Sequence, residues 1–128
     1  MMARIIVAED EAALRGYLRR GLQQFGHTIS AAADGAEALE LLQQENGAFD
    51  LLLADIKMPV MDGIALTLAA ARSYPELKIL LMTGYPDQRT RTSGLEGLIH
   101  GFLQKPFTLA ELKFEVAAAL AASRSSSP

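Results

Sequence analysis

Three short runs of unbroken apolar residues punctuate the chain: Ile5-Ile6-Val7-Ala8, Leu51-Leu52-Leu53-Ala54 and Ile79-Leu80-Leu81-Met82. Such runs have the length of strands, and the lack of polar alternation predicts burial on both faces, as in a parallel sheet. Between them the apolar residues adopt helical spacing. Leu14, Leu18, Leu22 and Phe25 share one helix face, with Arg15, Arg19 and Arg20 elsewhere on its surface. Gly26 is a natural stop. Residues 28–32 predict a second strand. Asp34-Gly35 then turns into a helix over 36–44, with Leu39 and Leu42 inward. Residues 49–54 form the third strand. Asp62 is placed to cap a helix over 63–73, which Pro75 stops. Residues 78–82 and 101–104 make the fourth and fifth strands. The last helix starts at the capping box Thr108-x-x-Glu111 and carries the stripe Leu109, Leu112, Val116 and Leu120.

One helix is poorly written. Residues 87–98 include Thr90, Thr92, Ser93, Gly94 and Gly97, all weak helix formers, with each Gly costing about 1 kcal/mol against Ala. A short, mobile or irregular segment is expected there. The alternation of strand and helix, with crossovers of fixed hand, predicts a five-stranded parallel sheet, doubly wound. One domain over 3–122 is expected, with a polar, low-complexity and disordered tail over 123–128. His27 and His100 are read as loop or edge residues without nameable partners.

Composition narrows the chemistry. Half of the 128 residues are hydrophobic, enough for an ordinary globular core. The net charge of −3 argues against DNA or an anionic membrane as partner. No Cys is present, so there is no disulfide and no thiolate metal site. No apolar stretch has signal-peptide or bilayer-spanning length, which makes a cytoplasmic protein the expectation.

In such a sheet, ligands bind at the carboxyl ends of the strands. Glu9 and Asp10 follow the first strand, Asp55 the third, Thr83 the fourth and Lys105 the fifth, so five polar residues converge on one end. Taken singly, each has a bland reading: Asp10 as a helix cap, Thr83 as a loop residue, Lys105 as a solvated charge. Asp55 is less easily dismissed, since Asp is depleted in strands and here directly follows a buried one. Like carboxylates about 4 Å apart repel by roughly 4 kcal/mol at an effective dielectric near 20. The cluster therefore calls for a cation, and an all-oxygen donor set suits Mg²⁺, with Mn²⁺ the alternative. A nucleophilic carboxylate, a metal, a lysine and a hydroxyl around one anion are the parts of phosphoryl transfer.

The motifs VAEDE (7–11), LLLADIKMPVMDG (51–63), LLMTGYP (80–86) and FLQKPF (102–107) together resemble the CheY-like response-regulator receiver domain of bacterial two-component signalling. The resemblance covers Arg4 to about Ala122. It implies that Asp55 accepts a phosphoryl group from a partner's phosphohistidine and that Asp10 binds Mg²⁺ directly. Glu9 would hold the ion mainly through water, and the Lys57 backbone carbonyl would be a further ligand. Thr83 and Lys105 would bind the phosphoryl oxygens. Phe102 stands at the switch aromatic, although simple core packing would also account for it. Lys105-Pro106 is a cis-peptide candidate. Gly84 departs from the family's commoner Ala or Ser.

The implied partners are a sensor histidine kinase or a histidine phosphotransfer protein. The output would pass through the face made by the fourth helix, fifth strand and fifth helix, from a monomer or weak dimer. With no effector region expected, the chain reads as a stand-alone receiver, a signalling protein that catalyses only its own phosphorylation and dephosphorylation. A fainter resemblance, to CpdR-like cell-cycle regulators, implies a protease or its adaptor as the output protein. The alternatives are a relay shuttle or phosphate sink, or a haloacid-dehalogenase-type phosphatase. The phosphatase would need a second Asp where Lys57 stands.

Overall fold

The computed structural model describes residues 2–122, apart from the side chain of Pro86; the tail expected over 123–128 lies outside the described residues. Five parallel strands form one sheet in the order β2-β1-β3-β4-β5: β1 Arg4–Ala8, β2 Thr28–Ala32, β3 Leu51–Asp55, β4 Lys78–Thr83 and β5 Gly101–Gln104. Alternating residues of the central strands feed two separate cores, which is why their sequences show no polar alternation. Ile6, Ala8, Leu52, Ala54, Ile79 and Leu81 face α2 (Gly35–Gln44) and α3 (Gly63–Ser73) through Ala38, Leu42, Leu66 and Ala70. On the other side, Ile5, Val7, Leu51, Leu53, Leu80 and Met82 meet α1 (Ala12–Gln24) and α5 (Leu109–Ala121) through Leu18, Leu22, Leu112 and Val116.

The helix ends follow their local chemistry. Gly26 takes φ +96° just after α1, a left-handed stop that glycine adopts without steric cost. Asp62 accepts the Ala65 N–H at 2.9 Å, and Thr108 with Glu111 forms the reciprocal capping box at α5. The strand ends differ from expectation by a residue or two. Phe49 is buried but lies in the irregular segment before the strand, its N–H directed to Gly47 O. Asp55 and Thr83 are the last residues of their strands, because the backbone ladder continues beneath them through Ile56 N to Met82 O and Lys105 N to Thr83 O. Leu109, expected in the inner stripe of α5, is instead 37% exposed; its Cδ2 lies beside Gly21 of α1, and Ala119 completes the buried face.

The weak stretch forms only a five-residue α4 (Pro86–Thr90) and, after a turn, a 3₁₀ segment over Glu96–Leu98. Thr90 and Thr92 direct their hydroxyls to the carbonyls of Asp87 and Arg89, three residues back, and Gly94 takes φ +88°. These local bonds compete with helix continuation. Both histidines lie in loops, as expected, and each has a partner that the spacing did not name. His27 Nδ1 accepts the Ala3 N–H at 3.1 Å, and His100 Nδ1 accepts the Ile79 N–H at 3.0 Å. Each pins the amino-terminal side of a strand.

Candidate functional site

The carboxyl ends of β1, β3 and β5 converge as the spacing implied. One carboxylate oxygen from each of Glu9, Asp10 and Asp55 lies within 4.8 Å of the others. Glu9 and Asp55 are buried by the sheet ends, whereas Asp10 is exposed at the mouth. Lys105 reaches across from the end of β5. Its Nζ donates to Asp55 Oδ2 at 2.5 Å and to Glu9 Oε1 at 3.3 Å. The Lys105-Pro106 peptide bond is cis. A cavity of about 840 Å³ opens over the cluster, with Lys57, Met58, Gly84, Tyr85 and Gln88 on its walls.

Backbone geometry fixes each group. Glu9 Oε2 accepts the Glu11 N–H at 3.0 Å, and Arg15 donates to the Glu9 carbonyl at 2.7 Å. Asp55 Oδ1 faces the Lys57 N–H at 3.4 Å. Gly63 donates to Ile56 O at 2.8 Å, which closes the loop after β3 against its own strand. Burial pushes Glu9 up to about 7, and the Asp55 charge adds to this; the Glu11 N–H and Lys105 oppose it. Burial acts to lower Lys105, but its bonds and charge contact with Asp55 and Glu9 outweigh that and raise it. The Lys105 ammonium thus compensates two of the three acids, Glu9 and Asp55.

Thr83 is buried but lines a different, smaller cavity of about 230 Å³, together with Arg89, Phe102, Gln104, Glu111 and Glu115. Phe102 is half-buried, and the Arg89 guanidinium lies over its ring, 4.1 Å from the centroid. The structure therefore brings Glu9, Asp10, Asp55, Lys57 and Lys105 to one cavity and sets Thr83 and Phe102 on the next. Three participants escaped the sequence reading: Arg15, Gln88 and Arg89. Only their placement in helices beside strand ends could have flagged them.

The fold and this oxygen-only acid cluster define a class: doubly wound α/β domains with a hard-cation site at the strand ends. The chain belongs to the response regulator receiver domain family, which matches residues 5–117. Among curated relatives, the response regulator receiver protein CpdR of Brucella abortus is 38% identical over 115 residues, which cover 90% of this chain and 94% of that protein. Sensor kinase CckA of the same organism is 36% identical over 110 residues, and response regulator MprA of Mycobacterium ulcerans 37% over 112. The matched segments cover 86% and 88% of this chain but only 12% and 47% of those two proteins.

Of solved structures, chemotaxis protein CheY4 of Vibrio cholerae has a TM-score of 0.81 at 28% identity, covering 93% of this chain and 99% of that one. Response regulator TrrA of Thermotoga maritima, in complex with Mg²⁺ and beryllofluoride, has a TM-score of 0.78 at 32% identity, covering 89% and 96%. Receiver domains are two-component signalling domains rather than classical enzymes, and the family binds Mg²⁺ through acidic residues. The donor set here fits that ion: hard oxygen ligands, two of them on buried residues that, among the described residues, share the Lys105 ammonium. No helix among the described residues is long and apolar enough to cross a membrane.

Proposed function

We propose that Asp55 is the phosphoacceptor of this receiver domain. The observation that carries this reading is the buried Asp55 carboxylate, held by Lys105 Nζ at 2.5 Å beside two further acids at a cavity mouth. In the transfer, an Asp55 oxygen attacks phosphorus, the P–N bond to the donor's histidine breaks, and the imidazole leaves with its electron pair. Glu9, Asp10, Asp55 and the Lys57 carbonyl would hold Mg²⁺, which supplies charge neutralisation for the incoming phosphoryl group. Lys105 and Thr83 would take its oxygens. The donor is a sensor histidine kinase or a phosphotransfer protein. Exposed Lys57 stands where a phosphatase of the haloacid-dehalogenase type needs its acid, which disfavours that reading.

The test is labelling with acetyl phosphate and Mg²⁺. Asp55→Asn should abolish incorporation; undiminished labelling of that variant would rule Asp55 out. The output reading is control of regulated proteolysis in the cytoplasm, through the face built by α4, β5 and α5, supported by the likeness to CpdR along nearly its whole length. Capture from extract, with and without beryllofluoride, tests it. A protease or adaptor held by one state alone supports it, whereas recovery of only a kinase or phosphotransfer protein favours a shuttle or sink.

A further inference from the structure

The short α4 sets two consecutive side chains on two parts of the site. Gln88 Oε1 accepts the Gly84 N–H at 2.6 Å, and both residues line the acid cavity. Arg89, the next residue, covers the Phe102 ring in the neighbouring cavity that Thr83 also lines. We propose that Gln88 is a positioning residue that holds the β4–α4 turn in its unphosphorylated arrangement by occupying the Gly84 amide. The proposal rests on Asp55 being the phosphoacceptor.

The argument is one of donors and acceptors. A phosphoryl group on Asp55 brings three anionic oxygens into a cavity whose ammonium is already shared between two carboxylates. Thr83 lines the other cavity, so its hydroxyl serves the phosphoryl group only if the turn moves. Gly84 is the residue after Thr83, and an oxygen that captures its N–H carries Thr83 along. The neutral Gln88 carboxamide holds that N–H beforehand, and an anionic oxygen is the stronger acceptor once present. The space beside Gly84 is open among the described residues: a Cβ built there would meet Gln88 Oε1 at 3.8 Å. Because Arg89 is adjacent, release of Gln88 also loosens the helix that seats the guanidinium on Phe102.

The experiment is a beryllofluoride titration in Mg²⁺, followed by the backbone amide signals of Gly84 and Thr83. Gln88→Met keeps the side-chain length and removes the acceptor. It should shift the free-state Gly84 amide proton upfield, lower the free-state Tm by roughly 2–6 °C and tighten beryllofluoride binding roughly two- to tenfold, the weight of one neutral hydrogen bond. Gln88→Glu keeps an acceptor and should restore the free-state Gly84 shift. Unchanged or weaker binding by Gln88→Met, while the wild type binds normally, overturns the latch and leaves the Asp55 reading standing. Absence of binding by the wild type overturns the Asp55 reading itself, and the latch with it.

Discussion

Replacing Gly63 with Ala tests how tightly the acceptor strand is clamped by its own following turn. A Cβ on Gly63 would lie 2.4 Å from the Asp55 carbonyl oxygen, 2.9 Å from Ile56 Cα and 3.0 Å from the Asp55 carbonyl carbon. Ordinary contact begins at 3.4 Å, so backbone must give by about 1 Å. Neither side yields readily. Gly63 N–H is bonded to Ile56 O at 2.8 Å, and α3 is anchored by buried Leu66 and by Thr67, whose hydroxyl donates to Gly63 O at 2.7 Å.

Forcing the two apart costs about 1–3 kcal/mol in overpacking, with roughly 1 kcal/mol more if the Gly63 bond breaks. Against this, Ala gains at most about 1 kcal/mol from helix propensity and a less flexible unfolded chain. The net expectation is a loss of about 1–3 kcal/mol and a fall in Tm of roughly 5–10 °C by scanning calorimetry. Asp55 moves with its carbonyl, so acetyl phosphate labelling should slow by about 10- to 100-fold, as for a misplaced reacting group. A variant with wild-type Tm and wild-type labelling would refute both the clash and its coupling to Asp55.

Asp10→Ala should raise Tm by roughly 2–4 °C in EDTA, because it removes one carboxylate from the cluster and no side chain caps α1; in Mg²⁺ the wild type should overtake it. Thermal melts in both buffers decide this, and a fall in EDTA would make Asp10 a structural residue. Val60 sits at φ +67° and is 84% exposed, so Val60→Asn should relieve a left-handed strain and stabilise by about 0.5–1 kcal/mol. An unchanged or lower urea midpoint would count against that. Burial lowers His27 below its usual 6.5, and its Nδ1 must stay unprotonated to accept the Ala3 N–H. The unfolded chain takes up that proton first, so this contribution is full above pH 6.5 and is lost as pH falls through the lowered folded value. Glu9 acts in the opposite direction in metal-free protein: its raised value lets the folded chain bind the proton first, adding stability as pH falls from about 7 toward 4.5. Comparing the wild type with His27→Gln cancels the Glu9 effect, and the variant should show the flatter loss between pH 7.5 and 5. Equal slopes in urea unfolding would dismiss His27.

What the chain disclosed in advance was whatever repeats or punctuates. The double-sided burial of β1, β3 and β4 left unbroken apolar runs; their ends, with the end of β5, located Glu9, Asp10, Asp55, Thr83 and Lys105 because a parallel sheet sends every strand terminus to one edge. The Asp62 and Thr108 caps were legible because capping chemistry is local. Leu109 misled because its spacing fits the stripe of α5, whereas its place in the first turn lays it along α1 rather than under the sheet. The bonds of His27 and His100 were hidden because each joins a side chain to a backbone amide at or just before a strand, 21 or more residues away. Gln88 and Arg89 were hidden for a related reason: in a weak helix, neither periodicity nor capping marks a residue whose work is done on the adjoining strand end.

The same placement accords with the unphosphorylated arrangement proposed for the turn. Lys105 is the ammonium in contact with Asp55 and Glu9, and burial opposes charge on Glu9. While the lysine compensates two carboxylates, its donors are spent on them rather than on an incoming anion. A divalent cation at the three acids would relieve that demand and free the ammonium for phosphoryl oxygens. On the proposed reading, Gln88 keeps the Gly84 amide until such oxygens arrive, and Thr83 stays on the side of Phe102. Metal binding alone should therefore leave the Gly84 and Phe102 environments nearly unchanged, and the switch should require the anion.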